Sequence, residues 1–170
     1  MSNTTNDRLL GVYLHDHLAA AAGGVELVRR AAKEQAATPV GPGLARLVED
    51  VEQDQESLRK VLTDLGMADH HVNETFTWLA EKASRLKPNG QLIGRSPLTS
   101  LIELETIRIA LEGKRAGWVS LRLLADHDAR LDAELLDRLI ARGVDQADRA
   151  EQLRRTVATA VFRTTENEKV

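Results

Sequence analysis

Several stretches of the chain place polar or ionisable residues where a helix would turn them toward its apolar side. His17 falls between Leu14 and Ala21. Asp54 and Gln55 fill the gap between Val51 and Leu58. Glu105, Arg108 and Glu112 share one face at i, i+3 and i+7, and Gln146 lies midway between Leu139 and Leu153. Asp54, Glu112 and Gln146 sit near the midpoints of their segments, so helices lying side by side would bring them to similar depth. Two chemistries fit such a set. Carboxylates with an imidazole suit iron or manganese, with His17, Asp54, and Glu105 or Glu112 as ligands and Gln146 behind them. The other is a buried polar network of His17, Asp54, Gln55, Glu105, Arg108, Glu112 and Gln146, in which Arg108 or Arg115 neutralises the carboxylates. A buried charge needs a partner, and two nearby arginines supply one without a metal. The network is therefore the expected arrangement, and no catalytic, cofactor or metal residue is assigned.

The remaining motifs read more simply. Adjacent histidines point apart on any regular element, so Asp69-His70-His71 is expected to be a solvent-facing loop. His127, between Asp126 and Asp128, belongs to a turn and cap. His15 faces away from the stripe that holds His17. Gly23-Gly24 lacks the pattern of a phosphate loop and suggests close helix contact or a kink. Lys114 and Trp118, at i and i+4, read as packing, with the lysine stem lying along apolar surface. Nothing resembles a nucleophile–base triad.

The elements that must position these residues are long helices. Leu10, Leu14, Ala21, Gly24, Val28 and Ala31 step by three or four and predict a helix over 7–35, capped by Thr5 or Asn6. Thr38-Pro39-Val40-Gly41-Pro42-Gly43 stops it. A second helix is expected over 44–65, with Gly66 at the position after its cap. A connection over 67–95 contains a short amphipathic segment at 76–86. Ser96-Pro97 opens a third helix reaching about 124, and a fourth runs over 129–162. Two short connections and one long one predict two helical hairpins joined by a crossover.

The chain has 170 residues, which suits one domain with a core over 7–163 and polar ends. Aromatic residues make up only 3%, so the core must be aliphatic. No cysteine is present, which excludes disulfides and thiolate metal sites. The net charge of −3, with both signs interspersed, argues against nucleic acid. The polar start lacks the apolar run of a signal peptide, and no stretch reaches the roughly 20 apolar residues a membrane span needs, so a cytoplasmic protein is expected.

Helix lengths, the long second connection and the acidic second helix, Val48-Glu49-Asp50-Val51-Glu52-Gln53-Asp54-Gln55-Glu56-Ser57-Leu58-Arg59-Lys60-Val61-Leu62 followed by Leu65-Gly66, carry a resemblance. Over residues 9–162 the chain resembles the ferritin-like superfamily, and within it an uncharacterised bacterial branch. The resemblance implies a ferritin-like four-helix bundle. The catalytic members of that superfamily hold two irons between carboxylates and Glu-x-x-His pairs. This chain departs from that pattern: it contains no Glu-x-x-His, and counting back from Gly66 puts Asp54 where the histidine would fall and Val51 where its glutamate would fall. The expected function is accordingly a non-catalytic interaction or self-association protein, with a salt-bridge network in place of the metal. The alternative is a di-iron or manganese oxidoreductase or metal-storage protein with unusual ligands. A homodimer is expected through Phe76, Trp78 and Leu79 on the crossover.

Overall fold

A computed structural model describes residues 5–68 and 96–163. Among them there are four helices and no strand: α1 Asp7–Glu34, α2 Gly41–Asp64, α3 Pro97–Ala125 and α4 Ala133–Phe162. The protein is an all-α four-helix bundle. The short segment expected at 76–86, with Phe76, Trp78 and Leu79, lies outside the described residues, as do His70 and His71.

Each helix begins and ends for a local reason. The Asn6 side chain accepts from the Leu9 N–H at 3.1 Å and caps α1. α2 starts at Gly41, three residues before the expected start at 44. Pro42 is no obstacle there, because the first-turn N–H groups have no intrahelical partner to lose. Its end is a Schellman turn. The Met67 N–H reaches the Leu62 carbonyl at 2.8 Å, the Gly66 N–H reaches Thr63 at 2.9 Å, and Gly66 takes φ +71°. Replacing Gly66 with Ala should therefore cost about 1 kcal/mol, read as a lower urea midpoint with an unchanged slope.

α4 also departs from expectation, starting at Ala133 rather than near 129. Asp132, not Asp128, caps it, accepting from the Leu135 N–H at 2.9 Å. Asp128 is instead buried, held by Arg130 at 2.6 Å and by the Thr5 hydroxyl at 3.0 Å. The Arg130 guanidinium keeps its carboxyl well below the usual carboxylate range. Arg130 also reaches Asp7 at 2.7 Å, so this end of the bundle ties α1 to the loop before α4.

Two apolar clusters lie along the bundle. One joins Val28, Leu44, Leu104 and Ala150; the other joins Leu14, Leu62, Leu121 and Leu136. Together they fix the chain directions. The late part of α1 shares a cluster with the early part of α2, the early part of α3 and the late part of α4. α1 and α2 are thus antiparallel, as are α3 and α4, while α2 and α3 run parallel across the diagonal. Met67 and Leu101, on either side of the long connection, belong to different clusters and mark opposite ends of the bundle. α1 packs against α2 and α3, and α4 packs against the same two. Among the described residues, no helix is long and apolar enough to cross a membrane.

Candidate functional site

Between the two apolar clusters the core is polar. On α2, Asp54 stands between the buried Val51 and Leu58 and is itself only 2% exposed. On α4, Gln146 is fully buried. On α3, Lys114 continues the stripe Leu104, Ile107, Leu111, Trp118 and Leu121, which advances in steps of three and four. These three side chains meet. The Lys114 ammonium donates to Asp54 Oδ2 and to Gln146 Oε1. Gln146 Nε2 donates back to Asp54 Oδ2 at 2.9 Å. The amide orientation follows, since its oxygen must face the ammonium and its nitrogen the carboxylate. From the α4 edge, Arg142 donates to Asp54 Oδ1 and reaches Gln53 Oε1 at 3.3 Å. One carboxylate therefore has two cations and an amide around it.

α1 brings no charge to this layer. Gly117 lies against His17, and Arg30 pairs with Glu103 at 3.4 Å, so the height of Lys114 corresponds to Ala20 and Ala21 on the antiparallel α1. Burial pushes the Lys114 ammonium below the usual lysine range, and the Asp54 carboxylate opposes that push.

Beside the lysine lies a cavity of about 20 Å³ lined by Tyr13, His17, Lys114, Gly117 and Trp118 among others. That is room for a single water. His17 stands edge-on to Tyr13, with ring centroids 4.5 Å apart. A Cβ on Gly117 would come within 2.9 Å of the His17 ring, so the glycine sets how closely α1 and α3 approach. Burial pushes the imidazole below its ordinary value, against the weaker pull of Asp16. A histidine whose folded-state pKa is depressed binds its proton more weakly than in the unfolded chain. Its penalty is absent above pH about 6.5 and grows as pH falls through the folded value. His17→Asn should flatten the loss of stability between neutral and mildly acidic pH. Paired urea titrations would show this, and an NMR titration of His17 in the intact protein should give a midpoint below that of a peptide histidine.

The other expected residues lie elsewhere. Glu105 is about half exposed and faces Arg154 at 3.7 Å. Arg108 is 42% exposed and faces Glu151 at 3.3 Å, and Glu112 pairs with Arg115 at 3.0 Å. These charges edge the α3–α4 face, so neither Arg108 nor Arg115 neutralises the buried carboxylate; Lys114 and Arg142 do. Gln55 is half-buried and is not among the groups bonded to Asp54. His17 borders the cavity next to Lys114 rather than the Asp54 carboxylate. The four residues considered as metal ligands are not brought together, and among the described residues no three His, Asp or Glu side chains converge as a metal site would require. Glu103, buried on α3, was not foreseen; its partner Arg30 sits on α1.

In comparisons with family models, curated proteins and solved structures, none matches this chain.

Proposed function

We propose that this chain is a non-catalytic ferritin-like bundle of the cytoplasm, in which an ammonium fills the place a metal would take, and that it acts by interaction or self-association. The observation that carries this reading is the contact of Lys114 with Asp54 and Gln146. The lysine occupies Asp54 Oδ2 and Gln146 Oε1, and Arg142 occupies the other Asp54 oxygen, so the oxygens of this layer are already bonded to cations. A divalent cation entering beside an ammonium and the Arg142 guanidinium would meet two like charges at close range. The parallel arrangement of α2 and α3, with a long connection between opposite ends of the bundle, supports the ferritin-like part.

The test is elemental analysis of protein purified from cells supplied with iron and manganese. Metal far below one equivalent per chain is the expected result, together with no change in melting temperature when either ion is added. One equivalent of bound iron or manganese that disappears in Asp54→Asn would sink the reading.

A further inference from the structure

The outer face of α3 carries a second pattern. Thr106, Ile109, Gly113, Ala116, Ser120 and Leu123 alternate in steps of three and four, the spacing of a coiled-coil seam. The inner face of the same helix carries Leu104, Ile107, Leu111, Trp118 and Leu121. On the outer face the small, neutral Thr106, Gly113, Ala116 and Ser120 separate two large apolar residues that lie open, Ile109 at 72% exposed and Leu123 at 68%. Exposed apolar side chains grouped on one helix face mark a contact surface.

Two observations say what would cover this face. The first concerns polarity. The Thr106 hydroxyl donates to the Ile102 carbonyl at 2.8 Å and the Ser120 hydroxyl to Ala116 at 3.0 Å, so the seam offers no unsatisfied hydroxyl donor. The charges at its border are paired within the chain: Arg115 with Glu112, Arg108 with Glu151, and Arg122 with Asp126 and Asp137. A charged partner would find no free counter-charge, whereas a second copy brings the same neutral strip. The second observation concerns volume. In an antiparallel pair related by a two-fold axis near the middle of the seam, Gly113 meets Ala116, Ile109 meets Ser120, and Leu123 meets Thr106. Each large residue falls on a smaller one, and the smallest pair lies at the axis, where nothing stands within 4 Å of a Cβ built on Gly113.

We infer that the α3 face is the contact between two copies of this chain, joined antiparallel through the 106–123 seam. The inference deepens the self-association part of the proposed function and rests on it. One helix pair is a small interface, so the dimer is expected to be a weak one.

Sedimentation velocity over a concentration series of the full chain tests the inference. A dimer should form reversibly, and Ile109→Glu or Ala116→Glu should each raise its dissociation constant roughly thirtyfold or more. Both positions are exposed, so circular dichroism should stay unchanged. The chain has no cysteine, which allows clean cross-linking. A mixture of Ile109→Cys and Ser120→Cys proteins should form a disulfide dimer under mild oxidation, faster than either protein alone. A monomer at all concentrations overturns the inference, as does preferential same-residue cross-linking. A dimer indifferent to the glutamates overturns the seam while leaving self-association standing. Bound metal in a dimer that obeys the seam variants overturns the lysine reading and leaves the seam.

Discussion

Asp54→Leu should destabilise the protein by about 3–5 kcal/mol, the usual cost of removing one side of a buried ion pair. The carboxylate is 2% exposed and is bonded by Lys114, Arg142 and Gln146. Its removal leaves an ammonium without its counter-ion and a buried amide without its acceptor. Lys114 can respond by releasing its proton, because the group that most supports its charge there is gone. Its folded pKa is already depressed by burial and should fall further. Between that value and about 10.5 the unfolded chain then binds a proton that the native chain does not, so stability rises with pH. The variant should accordingly recover part of its loss between neutral and alkaline pH, whereas wild type should recover less. Arg142 cannot follow, since a guanidinium stays charged, and the recovery should be incomplete. The double variant Asp54→Leu, Lys114→Met should be more stable than Asp54→Leu alone, giving a large coupling energy in a double-mutant cycle. Urea midpoints of the four proteins at two pH values would measure all of this. A coupling near zero would mean that Lys114 and Asp54 do not depend on each other.

How much of this layer was legible in the sequence depends on which rule each residue obeys. Asp54 and Gln146 were visible because each interrupts an apolar stripe at a position that must face inward. Lys114 obeys the same spacing, in step with Leu111 and Trp118, yet lysine is rarely buried without a partner, and its partner sits on another helix. Spacing pointed inward and residue type pointed outward, and only the meeting of α2, α3 and α4 decides between them. Arg142 lies beside the stripe rather than on it, and its length alone lets it reach Asp54. Glu105, Arg108 and Glu112 do share a face, as their spacing requires, but equal spacing cannot say which neighbour that face meets. It meets the edge of α4, where Glu151 and Arg154 wait. The long helices were legible from periodicity alone. Their starts were less so, because Pro42 is harmless in a first turn and because Asp128, in the turn expected to cap the last helix, is taken by Arg130, which leaves the cap to Asp132.

The aromatic neighbour of the lysine gives a second large effect and separates volume from polarity. Trp118 is 3% exposed and lies in the cluster with Leu14, Leu121 and Leu136. Trp118→Ala should cost about 3–5 kcal/mol, through lost contacts and the space left behind. Trp118→Phe should cost about 1 kcal/mol, because the indole N–H is buried and meets no acceptor among the described residues, so no hydrogen bond is lost with it. The alanine variant differs in kind as well as in size. It enlarges the cavity of about 20 Å³ that Trp118 and Lys114 both line, and a chamber edged by an ammonium and an imidazole admits water readily. Hydration would relieve the desolvation that depresses Lys114, so its pKa should move back toward the ordinary lysine value even as the fold weakens. The two substitutions therefore predict opposite signatures: a small loss with the lysine unchanged for Phe, and a large loss with the lysine raised for Ala. Denaturant midpoints and NMR titration of the Lys114 side chain read the two quantities independently. Equal midpoints for the two variants would show that the ring volume is not what holds α3 against α1 at this layer.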